Sequence, residues 1–236
     1  MAQPVPRRPR TGRPPRISRG EILDAARRVI EGDGVGGLTM RRLAKEVGST
    51  PMALYHHVKD KEELLLLLLD EYAGAMARPA LPEDPRERVT AAALAMHDAL
   101  AGCPWIVEVL VADDLLSTSG LWYAENIVGA AVACGLTPER AVHAYRAIWY
   151  YTAGEIIVRA SAGRRRAAAD DRPTHREQVF ADLDPETLPH LASLAGRWAA
   201  LTAEDTYRQG LRALVDGLLP APSQPPPRAL AQPGGR

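Results

Sequence analysis

The sequence predicts an all-α protein, and three observations carry that prediction. Apolar residues recur at spacings of three and four, helix start and stop residues bracket those runs, and strand signals are nearly absent. The chain has 236 residues, 46% hydrophobic and 25% charged, enough for one or two cores and too apolar for a disordered chain. A formal net charge of zero conceals an asymmetry. Residues 1–61 hold 13 Lys and Arg against 6 Asp and Glu, whereas residues 62–236 hold 16 against 23. A basic first quarter on a neutral chain points to a polyanionic partner for that quarter alone.

In chain order, residues 1–16 place Arg7, Arg8, Arg10, Arg13 and Arg16 among prolines and glycines with no acid. Such a segment cannot bury apolar surface and is expected to be disordered when free. Gly12-Arg13-Pro14 resembles the core of an AT-hook, an extended unit that lies in a narrow minor groove, which makes Arg13 and Arg16 candidate DNA contacts. A basic tail with generic phosphate affinity fits the same residues. Ser18-Arg19-Gly20-Glu21 is a capping box. Ile22, Leu23, Ala26, Val29 and Ile30 then mark a first helix ending near Gly32, followed by a loop through Gly37.

Residues 38–63 read as two short helices joined by a tight turn. The first runs from the N-cap Thr39 to Val47 and buries Leu43, Ala44 and Val47. Gly48 stands where a helix stops in the left-handed conformation. Ser49 and Thr50 cap a second helix whose first turn takes Pro51. Leu54 and Val58 pack inward, leaving Thr50, Met52, Ala53, Tyr55 and His56 outward. The pattern fits an ordinary helical hairpin in an all-α core; it also fits a helix-turn-helix whose second helix enters the major groove. Asp60-Lys61-Glu62-Glu63 opens a long helix through about Ala77, with Lys61 where a side chain and a first-turn amide both reach a phosphate.

Leu38-Thr39 through Leu43-Ala44, then Gly48, Leu54-Tyr55, His57-Val58 and Lys61, resemble the N-terminal domain of the TetR family of bacterial transcriptional regulators. The likeness runs from near Ile17 to near Leu69. One departure is Ser49, where the family typically has an apolar residue after the turn glycine. The resemblance implies a three-helix DNA-binding domain in which Arg41 touches a base edge and Thr39, Tyr55 and Lys61 hold phosphates. Thr50, Pro51, Met52, Ala53 and His56 complete the reading surface, which varies most within the family and so does not disclose the operator. The long helix from Lys61 would link this domain to a regulatory core, its angle setting the spacing of two reading heads.

Beyond Pro79–Pro82, Asp84-Pro85-Arg86-Glu87 starts a helix to about Leu100, and Gly102-Cys103-Pro104-Trp105 turns into a shorter one through Val111. Further helices are expected over about Ser119–Ala133 and from Thr137-Pro138 to about Ala162. A polar loop follows from Arg164 to Pro173. Asp184-Pro185 starts a brief helix, and Thr202-Ala203-Glu204-Asp205 caps a last one ending near Leu219. Residues 220–236 are a Pro-rich tail, expected to be disordered. The expected organisation is a basic arm (1–16), a helix-turn-helix domain (17–63), an all-α ligand-binding and dimerisation domain (64–219) and the tail.

Cys103-Pro104-Trp105, Ala133-Cys134-Gly135-Leu136-Thr137-Pro138-Glu139 and Tyr151-Thr152-Ala153-Gly154 loosely resemble the C-terminal domain of the tetracycline-repressor branch. That likeness implies a homodimer through the long helix at about 138–162 and the last helix at about 203–219. It also implies a small-molecule effector and release from a palindromic operator. Candidate ligand residues are His97, Trp105, Glu108, Trp122, Asn126, Trp149, Thr152 and Glu155, aromatic or polar groups on apolar helices. Core and dimer-interface packing accounts for the same residues. Tetracycline repressors bind a magnesium–drug chelate with a histidine and carboxylates; Val158 falls where the long helix's carboxylate would be, so neither tetracycline nor a metal is expected.

An enzyme is not expected, and no cofactor is implied. His56 and His57 are adjacent, so on a helix they diverge by about 100° and cannot share a metal; nucleophile-elbow, phosphate-loop and zinc-helix motifs are missing. An architectural DNA-coating protein is the remaining alternative, opposed by the acidic, aromatic second part. Cys103 and Cys134 read as small core thiols. The basic N-terminus lacks an apolar signal core and the leucine run 64–69 is too short to span a bilayer, so a cytoplasmic location is expected.

Overall fold

The structure is a computed structural model that describes residues 17–112, 115–167 and 174–221. Among these residues there are helices and no strands. The chain divides into two compact units: residues through Ala73 together with Val109–Ser117, and Gly74–Glu108 together with the chain from Thr118. The expected boundary at 63/64 falls instead inside the first turn of a helix.

The first unit contains α1 (Arg19–Gly37), α2 (Met40–Glu46), α3 (Pro51–Leu54) and most of α4 (Lys61–Ala75). Ser18 and Glu21 form the expected capping box, and Ile22, Ala25, Ala26, Val29 and Ile30 line the buried face of α1. That helix continues past its expected end. It breaks at Gly34 (φ 73°, ψ 174°), and a further turn closes through the Leu38 N–H onto the Val35 carbonyl at 3.2 Å. The six leucines 64–69 sort by helical phase: Leu64, Leu65, Leu68 and Leu69 are buried, while Leu66 and Leu67 are half-buried. Asp60 accepts the Glu63 N–H at 2.8 Å, but the Glu63 carboxylate reaches back to the Lys59 N–H instead of completing a box on Asp60.

In the second unit, α5 (Pro85–Ala101) packs on α7 (Leu121–Ala133) and α8 (Pro138–Ala167), and α12 (Tyr207–Leu218) packs on α5 and α8. The first turns of α6 (Pro104–Ala112) also belong here. Asp84 caps α5 by accepting the Glu87 N–H at 2.8 Å. The bundle core comes from Val89, Ala92, Ala93 and Met96 of α5, Ile127 of α7, Ile148 and Ile156 of α8, and Leu211 and Val215 of α12.

Two expected helix starts in this unit are corrected, and one helix appears that was not expected. Thr174 and Glu177 form a capping box that starts α9 (His175–Ala181). Asp184 does not start a helix; its carboxylate accepts the Glu186 N–H and the Thr187 hydroxyl and holds a turn, and α10 begins later (Pro189–Leu194). Thr202 does not cap the last helix. Its hydroxyl bonds back to the Trp198 carbonyl at 2.8 Å, closing α11 (Trp198–Leu201), and α12 begins at Tyr207 with Asp205 accepting its N–H at 3.1 Å.

Candidate nucleic-acid interface and regulatory core

The turn between α2 and α3 follows from Gly48. At φ 65° it adopts a conformation that costs a non-glycine residue roughly 1 kcal/mol or more. There it donates to Lys45 at 3.2 Å while Ser49 donates to Ala44 at 2.8 Å, the two bonds of a Schellman stop. Thr39 caps α2 by accepting the Arg42 N–H at 3.1 Å, and Thr50 caps α3 by accepting the Ala53 N–H at 3.3 Å. Leu43, Ala44, Leu54 and Val58 are buried as expected; Val47 is only half-buried. Ion pairs from Arg42 to Asp33 (3.2 Å) and from Arg28 to Glu46 (3.5 Å) fasten α2 against α1.

What remains outward is the reading surface. Thr39, Arg41, Thr50, Pro51, Met52, Tyr55 and His56 are exposed, Ala53 is half-buried, and Met52 is 70% exposed. Among the described residues, Arg41 and His56 make no ion pair or hydrogen bond. Such a convex, capped surface with a free guanidinium has the shape and charge to enter a groove. Lys61 differs from expectation: its Nζ already donates to the Val35 carbonyl at 3.1 Å. An ammonium has three donors, so this bond leaves two for a phosphate. Arg13 and Arg16 lie outside the described residues.

Of the candidate ligand residues, His97, Thr152 and Glu155 come together around Tyr207. The His97 ring stacks on Tyr207 at 3.8 Å and bonds through Nε2 to Glu155 (3.0 Å) and through Nδ1 to Asp98 (3.1 Å). The Thr152 hydroxyl lies 2.8 Å from the Ile148 carbonyl, to which it can donate, and 2.7 Å from the Tyr207 hydroxyl, a pair in which either oxygen can be the donor. Tyr151 also stacks on Tyr207, at 5.3 Å. Glu155 also pairs with Arg159, which reaches Asp205 at 3.5 Å, and Asp98 pairs with Arg208 at 3.1 Å. Burial pushes the Tyr207 phenol up from 10.0 to about 12, opposed by the Thr152 hydrogen bond. Arg159 is held above its ordinary value by its hydrogen bond to Glu155.

The other candidates lie apart from this cluster. Asn126 donates to the Trp122 carbonyl one turn earlier at 2.8 Å, and Trp122 meets Tyr123 edge-on at 4.9 Å. Glu108 faces Arg164 at 3.9 Å. Trp105 and Trp149 are half-buried with no ring stack among the described residues. Buried Tyr207 was the missed residue. Its signal was a phenol at the head of the Leu211–Val215 stripe, a place where a hydroxyl must find a partner. Among the described residues, no group of histidines, cysteines and carboxylates is placed to hold a metal, and no single helix is long and apolar enough to cross a membrane.

Fold and surface together define a helix-turn-helix protein followed by an all-α regulatory domain, the architecture of a DNA-binding transcriptional regulator. Residues 22–68 match the bacterial regulatory proteins of the tetR family, and residues 78–221 match the tetracyclin repressor-like C-terminal domain. The chain belongs to the TetR family. It is similar to the HTH-type transcriptional repressor DrrR1 of Streptomyces coeruleorubidus, 30% identical over 90% of this chain and 81% of that protein. The fold is shared with the Streptomyces coelicolor TetR family protein ActR in complex with actinorhodin (TM-score 0.68, 23% identity, 87% of this chain and 96% of that one). BioQ with its double-stranded DNA operator is a further neighbour (TM-score 0.56, 25% identity, 86% and 98%).

Proposed function

We propose that the protein is a repressor that binds a palindromic operator as a homodimer and is released when a small molecule occupies its C-terminal core. The observation that carries the DNA half is the outward face of α2 and α3, on which the Arg41 side chain is exposed; in this reading Arg41 meets a base edge and Thr39, Tyr55 and Lys61 hold phosphates. Thr50, Pro51, Met52, Ala53 and His56 make up the rest of the contact. The protein acts as a regulator and not as an enzyme, in the cytoplasm beside the chromosome.

Dimerisation is assigned to α8 and α12. Val142, Tyr150 and Val158 of α8 are 51%, 63% and 66% exposed, apolar area of the kind a partner chain covers. Two heads on a two-fold operator double the readout. BioQ with its DNA operator and ActR in complex with actinorhodin support the two ends of the cycle. Ligand and operator then each weaken the other by the same factor.

The test couples light scattering to DNA titration. A dimer in solution that binds one selected palindromic duplex with two chains supports the reading. A monomer that binds DNA one-to-one removes the symmetric mechanism. Compounds that raise the melting temperature are then expected to lower operator affinity; stabilisers that leave DNA binding unchanged would remove ligand release.

A further inference from the structure

Lys61 opens α4, yet its ammonium is bonded 26 residues back in the chain, at the junction from which α2 departs. The acceptor is the Val35 carbonyl, which also takes the Leu38 N–H at 3.2 Å. A carbonyl oxygen has two lone pairs, so both donors are accommodated. Other restraints on the junction are the Arg42–Asp33 ion pair and the buried Leu38 side chain. Gly34, just before it, sits at φ 73° and ψ 174°, a region essentially restricted to glycine. Leu38, just after it, is buried, and the next residue is Thr39, the N-cap of α2. One oxygen therefore fixes where the chain leaves α1 and where α2, with Arg41, begins.

We propose that Lys61 is a positioning residue for operator reading: by fastening the Val35 carbonyl it sets the start of α2, so that sequence preference, and not affinity alone, depends on it. The proposal deepens the reading of α2 and α3 as the DNA-contacting surface and rests on it. It makes a claim that a phosphate contact does not. Removing a phosphate contact weakens all sequences alike and lowers the salt slope by about one. Loosening the junction changes how Arg41 and Thr39 meet the bases.

The test uses the full chain and a random duplex pool. The preferred duplex is selected with wild-type protein, and affinities are then measured for it and for single-base variants. Lys61→Met removes the ammonium and keeps the apolar stem; Lys61→Arg keeps a cation able to reach the carbonyl. Lys61→Met is expected to narrow the discrimination at bases read by α2 by roughly three- to tenfold, with Lys61→Arg restoring most of it. A uniform loss in Lys61→Met, with every ratio between duplexes unchanged, overturns the proposal.

Gly34→Ala is the second variant, since it strains the same junction and leaves all charges in place. It is expected to narrow the same ratios without altering the salt slope. Unchanged discrimination in that variant also contradicts the proposal. A wild-type protein that ranks all duplexes equally would instead strike at the α2–α3 surface itself, before any question about Lys61 arises.

Discussion

Along α2 and α3 the side chains of Arg41, Met52, Tyr55 and His56 face outward, whereas at the meeting of α5, α8 and α12 those of His97, Thr152, Glu155 and Tyr207 take up one another's hydrogen-bonding capacity. Both groups are polar or aromatic residues on amphipathic helices, and their residue types alone do not separate them. Their accounting does. A guanidinium without a partner on a rigid, capped helix is available to something outside the chain. A histidine bracketed by two carboxylates and stacked on a phenol is already committed, and it ties three helices of the bundle together. The first arrangement is open to a partner from outside the chain; the second holds the helical bundle together.

The largest expected effect separates the two faces of α3. Leu54 is fully buried, and Leu54→Ala should cost about 2–5 kcal/mol in urea unfolding and abolish operator binding through loss of the local fold. Met52→Ala, two residues earlier and 70% exposed, should change stability by less than about 0.5 kcal/mol. Equal costs would dissolve the distinction between scaffold and reading surface.

Next comes the alkaline limb of stability. The folded Tyr207 pKa is raised from 10.0 to about 12 by burial, so its contribution is fully present below pH 10 and is lost as pH climbs through 12. The expected decline across that window is about 2–3 kcal/mol, and Tyr207→Phe should flatten it. A wild-type limb that matches that of Tyr207→Phe would mean the phenol is not held as described.

Arg41→Ala sharpens the other side of the comparison. It should cost operator binding about 1–3 kcal/mol and relax preference at one base position. Because Arg41 has no partner among the described residues, melting should stay within about 0.5 kcal/mol of wild type. A smaller loss is expected for Tyr207→Phe at neutral pH, where removal of the bond to Thr152 should cost about 0.5–1.5 kcal/mol by chemical denaturation. Operator sequence preference should not move.

Local chemistry makes the first unit legible in the sequence. Caps at Ser18, Thr39 and Thr50, the stop at Gly48 and the inward pair Leu54 and Val58 all act over a few residues, and each stands where the sequence places it. The Lys61 bond to Val35 was not legible, because it joins residues 26 apart and nothing near Lys61 signals an acceptor. In the second unit the long helices followed from their apolar phase. The short ones did not: Asp184 and Thr202 have the residue types of helix caps, but their side chains close turns instead, a competition that composition does not decide. Of the ligand candidates, three met at Tyr207 because α5, α8 and α12 converge there, a matter of tertiary packing.

The central claim is that α2 and α3 read sequence. The most direct measurement is titration of a selected palindromic duplex and its scrambled counterpart across a salt series. A strong preference for the palindrome that persists at every salt concentration, with affinity for both duplexes falling as salt rises, is the predicted result. Equal affinity for the two duplexes, with a steep salt slope alone, would contradict it and leave only a basic first quarter that adheres to DNA.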